Sequence, residues 1–219
     1  MQIAIDGPAA SGKSTVGRAI AERLGWRFLD TGLMYRAVAQ KALERGIDVQ
    51  DAQSLAAIAR ETAFHLVDSI LMIDGAPSAP ELRTPIVDAA VSPVSAHPSV
   101  RAELVRMQQE LAGDRSIVMA GRDIGTTVLP DATLKLWLTA SESERARRRS
   151  LEHDSRRAPH DSTTDIARLG ARDQQDSTRP ASPLRRAPDA IVIDTDGMAA
   201  DEVVVHALEL AARQLDLAG

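Results

Sequence analysis

The first apolar run, Gln2 to Asp6, is short and unbroken, and it leads straight into Gly7-Pro8-Ala9-Ala10-Ser11-Gly12-Lys13-Ser14-Thr15. Beyond this turn Val16, Ala19, Ile20, Arg23 and Leu24 recur at helical spacing, and Gly25 is a natural stop. The pattern predicts a strand, a glycine-rich turn and a helix. Residues 26–29 read as a second short strand; after Asp30-Thr31-Gly32 a helix is expected over 34–45, closed by Gly46. Residues 47–95 change texture: a helix near 52–61, a hairpin from 63–67 and 70–73, then a Pro-interrupted stretch, together an inserted lobe. A helix near 98–111 precedes a buried strand at 116–119 that ends in Ala120-Gly121-Arg122-Asp123. Further strands are expected at 133–138 and 190–193, and an amphipathic helix at 199–215. Strands alternating with helices predict an α/β fold around a parallel, doubly wound sheet.

At 219 residues and 44% hydrophobic, the chain can bury the core of one ordinary domain, or of one domain carrying an inserted lobe. The absence of cysteine excludes disulfides, a thiolate nucleophile and Cys-based metal sites, and suits a cytoplasmic protein. There is no basic segment followed by a long apolar one at the start, and no run of about 18 apolar residues anywhere, so an unexported, membrane-free protein is expected. Net charge is -5, and the aromatics are only Trp26, Phe28, Tyr35, Phe64 and Trp137, too few for a base-stacking platform. His65, His97, His153, His160 and His206 stand in no metal or triad spacing.

Gly7 to Ser14 fits G-x-x-x-x-G-K-[ST] and stands between the first strand and first helix, where the phosphate-cradling loop of that motif must stand. The glycines let the backbone wrap a phosphate, successive N–H groups and the helix N-terminus face negative charge, Lys13 reaches the outer phosphates, and the Ser14 hydroxyl ligates Mg²⁺. With only Lys13, Lys41 and Lys135 as lysines, a chance match is expected about once in a thousand such chains. None of the three follows an Asn, so a guanine-reading Asn-Lys-x-Asp element is missing and a GTPase is disfavoured. The chain is short for a motor ATPase, whereas a compact kinase needs only a lid and an acceptor pocket. Between Arg145 and Arg186, eleven arginines stand against six carboxylates, inverting the sign of the chain locally. Solvated helix faces account for a share of them. The cluster as a whole suits a lid over polyphosphate, with Arg145, Arg148 and Arg149 as its candidates.

Three further motifs, Asp30-Thr31-Gly32-Leu33-Met34-Tyr35-Arg36, Ala120-Gly121-Arg122-Asp123-Ile124-Gly125-Thr126 and Arg172-Asp173-Gln174-Gln175-Asp176-Ser177-Thr178-Arg179, complete a close resemblance to bacterial cytidylate kinases, nucleoside monophosphate kinases of the P-loop class. The resemblance implies a three-layer fold with a five-stranded parallel core (1–35, 98–145 and 180–219), a monophosphate-binding insert at about 36–97 and a lid at about 146–172. It implies direct in-line transfer of the γ-phosphoryl of ATP to CMP or dCMP with Mg²⁺, by a monomer without nucleic-acid or membrane partners. Lys13, Arg122 and Arg179 are then the catalytic side chains, with Arg179 near the transferring phosphate and Ser14 the metal ligand. Arg36 and Arg122 match residues that neutralise the acceptor phosphate, beside Thr31. Ser92, Arg101 and Asp123 match cytosine contacts, a carboxylate accepting from the N4 amine and a guanidinium donating to ring acceptors. Arg172 and Asp176 match ribose contacts.

Other roles compete: Met34 and Tyr35 suit core positions, Arg101 an exposed helix face and Asp176 an ion pair. Asp123 follows a buried strand at the sheet's carboxyl edge, where open α/β folds bind ligands. One departure stands out: the family commonly carries Asp or Glu before Gly-Arg-Asp to order the metal's water shell, and here that residue is Ala120. Metal organisation then falls to Ser14 and water, with Asp6 or Asp123 nearby. The alternatives are a small kinase for UMP, AMP or a non-nucleotide acid, and an Arg-rich ATP-dependent nucleic-acid-binding regulator.

Overall fold

Because Ile3 and Ile5 point to one side of the first strand and Ala4 to the other, β1 (Gln2–Asp6) is buried on both faces and can only be a central strand. The computed structural model describes residues 1–155 and 162–218; the rest of the expected lid, 156–161 with Arg156 and Arg157, lies outside the described residues. In chain order β1 is followed by α1 (Lys13–Leu24), β2 (Arg27–Asp30), α2 (Gly32–Glu44), α3 (Ala52–Glu61), β3 (Phe64–Val67), β4 (Ile70–Ile73), β5 (Ala76–Pro77) and a 3-10 turn, Pro80–Arg83. Then come α4 (Pro85–Ala96), α5 (Pro98–Ala112), β6 (Ile117–Gly121), a wide helical turn at Ile124–Val128, β7 (Leu134–Thr139), α6 (Glu142–Ser155), α7 (Ser162–Thr178), β8 (Ile191–Asp194) and α8 (Ala200–Ala218).

The main sheet has the order β2-β6-β1-β7-β8, and every pairing is parallel. β1 lies between two strands that come much later in the chain, so the crossovers diverge at its carboxyl end and open a crevice there. Ile3, Ile5, Phe28, Val118, Leu136 and Ile193 pack on one face with Val16 and Ile20 of α1 and Val203, Val204 and Ala207 of α8. Ala4, Leu29, Ile117 and Met119 pack on the other face, in one continuous core with α2, α3, α4, α5 and the small sheet. The segment read as an insert therefore shares the core of the main sheet, and Arg36, at its start, lies within α2. Among the described residues no helix is long and apolar enough to cross a membrane.

The three-stranded antiparallel sheet β3-β4-β5 begins with a tight hairpin, in which Asp68 and Ser69 take φ of 46° and 64°, the left-handed pair of a two-residue turn. The Ser69 hydroxyl accepts the Phe28 N–H at 2.9 Å and ties this hairpin to β2.

Two expectations change. The Pro-interrupted stretch contains a helix, α4: Pro85 sits in its first turn, where a missing N–H costs nothing, and Pro93 lies inside it. The strands also run further than their apolar residues, β2 to Asp30 and β6 to Gly121, so Asp30 and Ala120 are paired across adjacent strands.

Candidate active site

The crevice at the end of β1 starts with backbone geometry that only glycine tolerates. Gly7 has φ 150°, and a Cβ there would lie 2.0 Å from the Leu138 carbonyl oxygen; Gly12 has φ 89° at the entry to α1. The loop turns the first amides of α1 toward a cleft of about 1350 Å³, which spans the loop, α2, α4, α5 and both lid helices. That is more than one drug-sized ligand needs. The Lys13 ammonium donates to the Pro8 carbonyl at 2.5 Å and the Ser11 hydroxyl at 3.3 Å. Burial, reinforced by the nearby Arg122 charge, pushes it down to about 7 against the pull of Asp173, Asp30 and Asp6. Ala9, Ala10, Ser11, Gly12, Ser14 and Thr15 line the cleft with Lys13, while the Gly7 and Pro8 carbonyls accept from Arg122 and Lys13.

Asp6 closes the other side of the loop. Its carboxylate accepts the N–H groups of Ile124 at 2.8 Å and Gly125 at 2.7 Å, fixing the turn that carries Arg122 and Asp123. Burial lifts its pKa to about 6 despite those two bonds. Both of its oxygens are committed to this turn, which leaves Asp6 a structural latch.

Asp123 and Arg101 are both sealed from solvent and meet at 2.5 Å. The guanidinium also donates to the Ser95 carbonyl at 3.3 Å and lies 5.2 Å from the Tyr35 ring centroid. Arg101 is therefore not on an exposed helix face, and Met34 and Tyr35 are both core, Tyr35 also reaching the cleft wall. Arg179 approaches the other Asp123 oxygen at 3.8 Å and pairs with Asp176 at 3.4 Å. Asp176 also meets Arg122 at 3.1 Å. Ser92 is buried on α4 but is not part of the cleft wall; Val91 and Ser95 are, and the Ser95 hydroxyl donates back to the Ser92 carbonyl at 3.1 Å. Thr31 donates to the Ala120 carbonyl at 2.9 Å and leaves no room for a Cβ at Gly121, which would lie 2.7 Å from its hydroxyl.

Two carboxylates knit the lid to this floor, and the sequence reading singled out neither. Asp173 of α7 accepts from the Ala9 N–H at 2.9 Å and from Arg122 at 3.1 Å, and its second oxygen pairs with Arg145 of α6. Asp88 of α4 pairs with Arg36 and Arg149, with Arg172 3.8 Å away. Burial alone would lift its carboxyl, but the three guanidinium groups outweigh burial and hold it below the usual range. Arg172 is pushed down to about 10 by burial and by its neighbours Arg122 and Arg36. The three lid candidates diverge: Arg148, held by Glu144 and Thr195 at 2.7–2.8 Å, lines the cleft with Arg149 and lies beside Gly12, while Arg145 packs on the Ala9 carbonyl and Asp173 outside the cleft wall. Asp173 lies inside a quoted motif and could have been found there; Asp88, in the stretch read as interrupted, gave no signal.

The model for the cytidylate kinase family matches residues 3–213. A cytidylate kinase of Geobacillus kaustophilus (strain HTA426) is 46% identical over 214 residues, 96% of either chain, and one of Desulfitobacterium hafniense (strain Y51) is 47% identical over 96% of this chain and 92% of its own. Among solved structures, a gluconokinase from Sinorhizobium meliloti 1021 shares the fold at TM-score 0.54 and 17% identity, over 99% of this chain and 94% of that one. Shikimate kinase from Acinetobacter baumannii does so at TM-score 0.50 and 18% identity, over 97% and 93%. With a family model matching nearly end to end and relatives sharing close to half its residues, the chain belongs to the cytidylate kinase family.

Proposed function

We propose that this chain catalyses ATP-dependent phosphorylation of CMP and dCMP, with the donor triphosphate on the Gly7–Thr15 loop and the acceptor base against Asp123 and Arg101. One observation carries the reading: a single cleft joins the amide cradle to the buried Arg101–Asp123 pair, with Arg36, Arg122, Arg172 and Arg179 distributed along it. A buried carboxylate beside a guanidinium offers an acceptor and donors to a cytosine edge, and uracil, with a carbonyl in place of the N4 amine and a proton on N3 in place of a lone pair, would present the reversed pattern to the pair. The arginines offset the repulsion between two phosphate chains and stabilise charge on the transferring group. No general base is needed, because the acceptor phosphate is anionic at neutral pH. Helices α6 and α7 close over the loop through Ala146, Leu169 and Ala9, which limits access of water and hence idle hydrolysis.

The donor set fits Mg²⁺. Among the described residues no three His, Cys, Asp or Glu side chains gather into a cage, while the Ser14 hydroxyl and the Asp30 carboxylate meet at the loop. Mg²⁺ is characteristically held by one or two such oxygens together with substrate phosphates, and when bound it would neutralise charge on the β- and γ-phosphates. The reading is tested by following ADP release with CMP, dCMP, UMP, AMP and shikimate as acceptors: CMP or dCMP is expected to be preferred, and preference for any other acceptor overturns it.

A further inference from the structure

Ala120 removes a carboxylate from the end of β6, and the structure shows where another stands. Asp30 is the last residue of β2, in register with Ala120 on the adjacent strand. Its Oδ2 accepts the Ser14 hydroxyl at 2.9 Å and an Arg83 guanidinium N–H at 2.7 Å, while Oδ1 accepts the Gly32 N–H at 3.1 Å. The side chain lines the same cleft as Lys13, and its charge is felt there.

We infer that Asp30 is the carboxylate through which this chain organises the divalent cation, acting on the metal through Ser14 and the metal's water. The inference rests on the phosphoryl-transfer reading above. Three features support it. A hydroxyl that donates to a carboxylate keeps its lone pairs turned away from that carboxylate and available to a cation. A partner held at 2.9 Å orients the ligand, as outer-shell carboxylates do at metal sites. The other carboxylates near the loop hold different partners: Asp6 two backbone amides, Asp123 Arg101, and Asp173 Ala9, Arg122 and Arg145, whereas Asp30 accepts from Ser14 itself. Asp30 is a positioning residue in this account, since it acts through Ser14.

The test measures metal binding apart from turnover. Mn²⁺ binding to the full chain with a non-hydrolysable ATP analogue is followed by its electron paramagnetic resonance signal. Asp30→Asn is expected to weaken Mn²⁺ about tenfold with CMP affinity unchanged, and Ala120→Asp in that background to recover most of the loss. Mn²⁺ affinity within twofold of the parent in Asp30→Asn, or a loss that Ala120→Asp leaves untouched, overturns the inference. Should Asp30→Asn not fold, the unaltered chain decides: Fe²⁺ bound with the same analogue, with peroxide added, is expected to cut the backbone beside Ser14 and at residues 29–31. Cutting beside Ser14 but not at 29–31 rejects Asp30. Failure of the analogue itself to bind would instead count against the phosphoryl-transfer reading.

Discussion

Arg101 of α5 and Asp123, just beyond β6, hold each other at 2.5 Å with both side chains sealed from solvent. Neither charge is free for an acceptor base until that base takes part in the pair, so the base is selected by groups already oriented by one another.

Asp123→Ala is accordingly expected to raise KM for CMP about 100-fold, the scale of discrimination lost when a polar contact to a substrate is left unpaired. KM for ATP should stay within about threefold, because the Asp123 carboxylate is held by Arg101 and Arg179, not by the loop. Truncation also leaves Arg101 buried without its partner, which costs about 3–5 kcal/mol and lowers Tm. Steady-state kinetics with each substrate varied, alongside thermal unfolding, checks both. Equal loss of the two affinities would make Asp123 a purely structural residue.

Lys13→Ala is expected to lower kcat by about 10²–10³ with Tm nearly unchanged, since Lys13 bonds only within its own loop. In the parent chain this ammonium sits at about 7 in place of 10.5, and a bound triphosphate favours its charged form. The complex therefore takes up a proton near neutrality, and affinity for a non-hydrolysable ATP analogue should fall as pH rises from 7 to about 8.5. Lys13→Arg, charged throughout, should lose that part of the dependence. Calorimetry in two buffers of different ionisation enthalpy reads the proton directly; identical heats in both would exclude it.

Most of the scaffold was legible because it depends on local signals. The continuous apolar runs marked the strands, the Gly-Lys-Ser turn stands at the end of β1, and Arg101, Asp123 and Arg179, picked out by the family resemblance, lie against one another in the structure. What escaped has long-range causes. Pro85 and Pro93 punctuate α4 in sequence, yet the helix forms because Val87, Ala90, Val91 and Val94 bury one face against the main core. Asp88 lies on that helix, and nothing local says that three arginines from α2, α6 and α7 will converge on it. Ser92 is the residue the family resemblance picks out, whereas the helical turn brings Ser95 to the cleft wall.

Asp88 is a carboxylate shared by Arg36, Arg149 and Arg172, so Asp88→Asn removes a negative charge that all three face. Tm is expected to drop by several degrees, and millimolar CMP or inorganic phosphate should restore more of it than the same ligand adds to the parent. Differential scanning fluorimetry across a ligand titration measures the difference. Ligand shifts no larger in the variant than in the parent would mean that the arginines do not need a counter-anion.

Asp6 ties folding stability to pH with a sign opposite to that of an ordinary ion-paired carboxylate. Burial raises its pKa from 3.8 to about 6 in the folded chain, so between those values the folded state holds a proton that the unfolded state has lost. The contribution is fully present below 3.8 and disappears as pH rises through 6, a change of about 3 kcal/mol from the size of the shift. Asp6→Asn is neutral at every pH and keeps a carbonyl to accept one of the two amide donors from Ile124 and Gly125. Urea unfolding of both proteins from pH 4 to 7 isolates the effect, since all other titrations cancel in the difference. The advantage of the parent over the variant should shrink steadily across that range. A difference independent of pH would show that the Asp6 carboxylate is already ionised at pH 4, held so by the two amides, and that burial is the weaker of the two forces acting on it.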